Sequence, residues 1–293
     1  MANLKEVRNR IVSVGSTQQI TKAMKMVSAA KLRRAQDAIV QMRPYSAKLQ
    51  EILQNVSSGL DSSEGGAYAA QREIKNVLLV VVTSNRGLCG AFNANVIKRA
   101  ILLARNEYKN ATVSVLCVGK KANDYFKKTD YHIVGTDLPK RLHELFDALT
   151  FDNVAPVAEV VMKAFADNQF DRVDIIYNQF KNAAVQVVEV EQYLPVKPIV
   201  ADGKKSNNEY IFEPNKAEIV RDLIPKSLKV QFYKTLLDSF ASEHGARMTA
   251  MHKATDNADA LIKELKLSYN KARQAAITNE ILEIVGGAEA LNG

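Results

Sequence analysis

Met248-Thr-Ala-Met-His-Lys-Ala-Thr-Asp-Asn-Ala-Asp-Ala-Leu-Ile-Lys-Glu-Leu-Lys-Leu-Ser-Tyr-Asn-Lys-Ala-Arg-Gln-Ala-Ala276 decides the fold. Met248, Met251, Thr255, Ala258, Ile262, Leu265, Tyr269, Ala272 and Ala276 fall alternately three and four apart, the stagger of a coiled-coil seam. From Ser227 to Leu291 there is no proline, and Gly245 is the only glycine before the Gly286-Gly287 pair. An unbroken helix over that span would be about 98 Å long, wider than a compact domain of this mass, so it must project. The same alternation recurs at the other end of the chain, through Leu4, Val7, Ile11, Val14, Gln18, Thr21, Lys25, Ser28, Leu32, Ala35, Ile39, Met42, Ser46, Leu49, Leu53 and Val56. The two stretches predict a long antiparallel two-helix coiled coil formed by the N- and C-terminal segments.

Between them the period changes. Val77 to Thr83, Thr112 to Val118 and Val173 to Tyr177 are short β-branched runs of the kind found in buried parallel strands. Helical patterns separate them at Ala91 to Tyr108, Lys120 to Lys128, Leu138 to Leu149 and Val154 to Asn168, and His132 to Val134 reads as a short strand. That alternation predicts a central Rossmann-like α/β domain with a parallel sheet. Ala184 to Glu191 alternates Val with polar residues, as an edge or antiparallel strand does. Three divisions follow: residues 1–57, 58–209 and 210–293. Ser57 to Gly66 and Asp202 to Asn208 read as a flexible loop and a polar turn, and Asn215 as the N-cap of the second helix.

Two residues strain the first helix. Gly15 costs about 1 kcal/mol relative to Ala, and Pro44 removes a hydrogen bond and predicts a kink near Gln41. The centre of its seam is polar, with Gln18, Thr21, Lys25 and Ser28 beside Ile20, Met24 and Val27. Either the partner helix is displaced there or the apolar face turns toward another protein, and the second reading is preferred. If both helices leave the α/β domain at one level, the first is exhausted opposite about residue 280. The last dozen residues, with Ile281, Leu282, Ile284, Val285 and Leu291, then stand alone and call for a sleeve of another protein.

Charge is placed unevenly. Residues 1–57 carry ten Lys and Arg against three Asp and Glu, whereas residues 58–209 carry nineteen against eighteen and residues 210–293 eleven against eleven. A basic helix implies nucleic acid, an anionic membrane face or an acidic protein surface. No aromatic residue lies within residues 1–44, so the cluster Lys22, Lys25, Lys31, Arg33 and Arg34 has no base-stacking platform, and an acidic protein loop is favoured over a merely solvated face. The longest apolar run, Val77 to Val82, falls far short of the roughly 18 residues a membrane span needs, and the start resembles no signal peptide. Cys89 and Cys117 lack metal-ligand spacing and are expected to be reduced packing residues.

Gly87-Leu-Cys-Gly90, between a strand and a helix, resembles a phosphate-cradling loop. It matches neither nucleotide fingerprint, and Gly119-Lys120 stands where a ribose-binding acid is expected. A tight turn needing glycine is the simpler reading. His244 and His252 lie about 12 Å apart along one helix, too far to share a metal. His132 and His143 single out no triad. No active site, metal or cofactor is expected.

Four further segments carry a resemblance: Ile20-Thr-Lys-Ala-Met-Lys-Met-Val-Ser-Ala-Ala-Lys-Leu32, Ser84-Asn-Arg-Gly-Leu-Cys-Gly-Ala-Phe-Asn93, Ser242-Glu-His-Gly-Ala-Arg-Met-Thr-Ala-Met251 and Tyr269-Asn-Lys-Ala-Arg-Gln-Ala-Ala-Ile-Thr-Asn-Glu-Ile281. Together, in order and over essentially the whole chain, they resemble the gamma-subunit family of F-type ATP synthases. The resemblance implies a rotor shaft inside a ring of three alpha and three beta subunits, with the α/β domain as a foot meeting the epsilon subunit and the c-subunit ring. It places Lys22, Met24 and Lys25 near an acidic beta-subunit loop and Arg247, Gln274 and Thr278 at the beta catch region. It also gives the tip Ile281, Leu282, Ile284 and Val285 its sleeve. Glu209-Tyr-Ile-Phe-Glu-Pro214 matches the foot segment and nominates Tyr210 and Glu213, with Arg86 in the central motif. Asn85 replaces a usual Asp and Phe212 a usual Tyr, which puts a hydroxyl-mediated foot contact in doubt. No insertion with a cysteine pair, as in chloroplast members, is present. The resemblance implies mechanical coupling of ion flow to the beta catalytic sites, with no catalysis or cofactor in this chain, at the cytoplasmic face of a bacterial inner membrane. The alternatives are a nucleic-acid-binding or scaffold coiled coil with an α/β head, and an enzyme of nucleotide chemistry on that head.

Overall fold

A computed structural model describes residues 4–57, 66–133, 138–139, 142–196 and 216–292. The described residues contribute to two compact units, Met1–Ser28 with Met248–Gly293, and Ala29–Arg247. Helices α1 (Leu4–Ser57) and α5 (Lys216–Asn292) each contribute to both. Helix α1 runs through Gly15 and Pro44 without a break, and α5 already includes Pro225.

In the first unit the heptad reading holds position by position. Met251 and Ala258 are buried, while Met248, Thr255, Ile262, Leu265, Tyr269, Ala272 and Ala276 are half-buried and most residues between them exposed. On α1 the same holds for Leu4, Val7, Ile11, Val14, Gln18, Thr21, Lys25 and Ser28. The hydroxyls of Thr21 and Thr255 meet at 2.9 Å, and Gln18 Nε2 donates to Asp259 Oδ1, which fixes an antiparallel register. In that register Leu4 is level with about Ala272, so α5 overhangs by about twenty residues instead of a dozen. The earlier figure assumed helices leaving a domain at one level; the Thr21–Thr255 pairing sets the register instead.

The second unit is built on a four-stranded sheet. Its order is β2 (Thr112–Val118), β1 (Asn76–Val82), β3 (Arg172–Phe180), β4 (Gln186–Leu194). β1 is parallel to β2 and β3, in register Val77↔Val113 and Val77↔Arg172, and β4 closes the sheet antiparallel. β1 is apolar on both faces because both are covered. Leu78, Val80 and Val82 pack with α4 (Phe151–Ala166) and with Ile224, Leu228, Phe232 and Leu236 of α5. Val77, Leu79 and Val81 pack with α2 (Phe92–Leu102), its π turn Leu103–Glu107, and α3 (Lys120–Phe126). The expected strand at His132 is an isolated bridge to Val115.

One expected element is absent. Among the described residues of Leu138 to Leu149 there is no α-helix, only a 3₁₀ turn, Glu144–Phe146. The reason is tertiary: Asn85 Nδ2 donates to the His143 carbonyl at 2.7 Å and Tyr233 Oη to that of Leu149 at 3.4 Å, while Leu138 and Leu142 are buried in the core. Pro139 also removes a donor. Residues 58–65, 134, 197–215 and their expected loop, strand end, turn and Asn215 cap lie outside the described residues.

Candidate functional site

β1 leaves the middle of the sheet, and the chain crosses to β2 on one side and later to β3 on the other. The carboxyl end of β1 is therefore a topological switch point, where open α/β sheets bind ligands. The loop Thr83–Gly90 lies there. Gly119, with φ of +105°, lets the neighbouring turn approach so closely that a Cβ would lie 2.1 Å from the Thr83 carbonyl oxygen. In the loop itself Gly90 and Leu88 take positive φ, so the tight turn rests on Gly90 and on a strained leucine, and Gly87 needs no such conformation. Ser84 Oγ donates to the Arg86 carbonyl at 2.6 Å, and Asn93 Nδ2 donates to Ser84 Oγ and to Cys89 Sγ. Burial raises the Cys89 thiol, and burial pushes Cys117 up to about 12, as suits inert packing thiols.

Helix α5 packs across this switch point. Ser242 Oγ donates to the Asn178 carbonyl at 2.9 Å, and Gly245 passes so near Ala183 that a Cβ would stand 3.2 Å from its carbonyl oxygen. Arg247 Nη2 donates to the Arg86 carbonyl at 3.0 Å, its Nε to that of Gly87 at 3.3 Å, and its Nη1 to Glu243 Oε1 at 2.7 Å. Arg247 is only 7% exposed, so this expected contact residue is not presented at the surface: its donors are spent on its own chain. Burial raises the Glu243 carboxyl, an effect that the Arg247 guanidinium opposes. Beside them His244 stacks edge-on to Phe240 at 4.5 Å, and burial with the Arg247 charge lowers its pKa to about 3. With Arg247 Nη1 donating toward Nδ1 at 3.4 Å, the proton of neutral His244 sits on Nε2, which meets no partner among the described residues. Glu243, Ser242 and Asn93 entered the sequence reading only inside motif segments, and Asn85 only as a departure from the family pattern; no pairing among them was legible, since the loop and α5 lie some 160 residues apart.

The remaining candidates are outward. Arg86 presents its side chain to solvent from the same loop, whereas Tyr210 and Glu213 lie outside the described residues. In the helix pair Lys22 is exposed, and Met24 and Lys25 are half-buried at the seam margin. Ile20 and Val27, also apolar, are about 60% exposed beside them. Of the polar seam centre, Gln18 and Thr21 are bonded across the pair, whereas Ser28 Oγ donates to the Met24 carbonyl of its own helix at 2.8 Å. Gln274 and Thr278 are exposed one turn apart, with Thr278 Oγ1 donating to the Gln274 carbonyl. From Ile277 to Ala290 every residue is exposed; Ile284 reaches 71%. Among the described residues no His, Cys, Asp and Glu cluster suits a metal, and no helix is long and apolar enough to cross a membrane.

Comparison with known proteins fits this arrangement. The sequence pattern of the ATP synthase family is matched over residues 3–291. The chain is 62% identical to the ATP synthase gamma chain of Flavobacterium psychrophilum and 60% to that of Christiangramia forsetii, each over all of both chains. Among solved structures it is similar to a chain of the Tetrahymena thermophila mitochondrial ATP synthase central stalk and c-ring, at 27% identity and TM-score 0.57, covering 80% of this chain and 99% of that one. A chain of the Euglena gracilis mitochondrial ATP synthase shares the fold at TM-score 0.66 and 23% identity, over 98% of this chain and 94% of that one. A filled switch point, a paired seam and full-length relatives thus converge: the chain belongs to the ATP synthase gamma chain family.

Proposed function

We propose that this chain is the central rotor shaft of an F-type ATP synthase, a non-catalytic subunit that couples ion-driven turning of a c-subunit ring to the catalytic sites of three beta subunits alternating with three alpha subunits. The observation that carries the reading is the bare apolar end of α5. A helix that buries its seam as far as Ala276 and then exposes Ile277, Ile281, Leu282, Ile284 and Val285 is built to end inside another protein.

In this reading Lys22, Met24 and Lys25 face an acidic beta-subunit loop, and Gln274 and Thr278 meet the beta catch region. Arg247 supports those contacts from inside the chain. Arg86, with Tyr210 and Glu213, belongs to the foot that meets the epsilon subunit and the c ring at the cytoplasmic face of a bacterial inner membrane. The shaft works by differential contact: each rotational position presents a different face to each beta subunit, and a surface equally complementary to all three would shift no equilibrium. No observation favours the nucleic-acid or nucleotide-enzyme readings; helix α5 fills the crevice the latter requires.

Reconstitution tests the proposal. Mixed with alpha and beta subunits, the full chain is expected to give a complex of three, three and one with chain-dependent ATP hydrolysis. Removing residues 279–293 is expected to weaken assembly. Failure of the full chain to enter any such complex would overturn the reading.

A further inference from the structure

The filled switch point has a use of its own. We infer, resting on the rotor reading above, that this crevice is the torque-bearing joint by which the α/β domain grips helix α5, with Arg247 as its positioning residue.

Apolar packing of α5 against the sheet, through Ile224, Leu228, Phe232 and Leu236, is adhesive but non-directional. Such a contact resists separation more than it resists rotation of a helix about its own axis. That stretch adds side-chain bonds, Gln231 Nε2 donating to Glu191 Oε1 at 2.7 Å and Tyr233 Oη to the Leu149 carbonyl at 3.4 Å, and the turns that follow go further by anchoring to backbone at the carboxyl ends of the strands. Ser242, Gly245 and Arg247 engage the backbone of three separate segments: Asn178 at the end of β3, Ala183 in the β3–β4 turn, and Arg86 with Gly87 after β1. Hydrogen bonds weaken steeply with misalignment, so contacts to fixed carbonyls define an angle as well as a distance. Glu243, one turn before Arg247, holds the guanidinium in the plane that reaches both loop carbonyls. The loop is itself over-determined by Ser84, Cys89 and Asn93, which is what a bearing surface requires.

The test uses the full chain, alone and assembled with alpha and beta subunits. Arg247→Met strands Glu243, so Arg247→Met with Glu243→Gln is the variant that keeps the site neutral, and Arg247→Lys is the conservative control. In the isolated chain, amides of residues 84–90 and 242–247 are expected to exchange at least tenfold faster in the double variant, while those of β1 do not change. In the assembled, stalled complex, a bead fixed through Lys98→Cys reports angular fluctuation, the inverse of torsional stiffness. Its variance is expected to rise at least twofold in the double variant and less in Arg247→Lys. Unchanged exchange in residues 84–90, or unchanged variance in an assembled complex, overturns the joint while leaving the rotor reading intact. If the unsubstituted chain does not assemble, the rotor reading falls and the torque-bearing inference with it.

Discussion

Single atoms decide several outcomes in this chain. A methyl group at Gly119 would meet the Thr83 carbonyl at 2.1 Å from a backbone φ of +105°, so Gly119→Ala is expected to cost more than about 3 kcal/mol in urea unfolding. Gly15 has nothing within 4 Å of its added Cβ, and Gly15→Ala is expected to stabilise the chain by up to about 1 kcal/mol. Asn85 accepts from the Lys120 amide and donates to the His143 carbonyl, two tasks that a carboxylate cannot both perform. Asn85→Asp is therefore expected to lower stability here by about 1–3 kcal/mol. His244 contributes a pH dependence of its own. Its folded pKa, about 3, lies below the ordinary 6.5, so the unfolded chain takes up a proton that the native one refuses. The part of the stability that depends on a neutral His244 is complete above pH 6.5 and is expected to decline toward pH 3, by at most about 1.4 kcal/mol per unit. His244→Gln should remove that slope in urea midpoints measured across the range, leaving the opposing contribution of Glu243.

At the scale of elements, repeated signals were legible and isolated ones were not. Every described seam position named on α1 and α5 is buried or half-buried, because a heptad repeats its message many times and one exception cannot blur it. The strands around Val77, Thr112 and Val173 were equally clear, since sheets covered on both faces demand unbroken apolar runs. Leu138 to Leu149 misled because Leu142, Leu145 and Leu149 imitate helical spacing while being drawn into the core individually, with their backbone held by Asn85 and Tyr233. Arg247 was recognised by motif, but its burial depended on carbonyls 160 residues away. The bare end of α5 yields the prediction for this scale. Ile281→Ser with Ile284→Ser is expected to leave the melting temperature of the isolated chain unchanged, since both side chains are more than half exposed, yet to weaken assembly with alpha and beta subunits on size-exclusion chromatography.

For the molecule as a whole, the charge on α1 has to be matched to its partner. Met24→Lys adds a third cation beside Lys22 and Lys25, over-stabilising any acidic loop seated there. The expected result in reconstituted membranes is fewer protons pumped per ATP hydrolysed, and an unchanged ratio would count against that docking site. The antiparallel helix pair also carries a consequence for how the protein comes into being. Thr21 and Thr255 are 234 positions apart in sequence. At about 5–20 residues per second of synthesis, the ribosome needs roughly 12–47 s to deliver the second threonine after the first. Throughout that interval Val7, Ile11 and Val14 have no opposite helix, while the α/β domain between can already fold. The newborn chain therefore passes through an obligatory stage with its N-terminal seam uncovered, and birth order makes α5 the element that closes it.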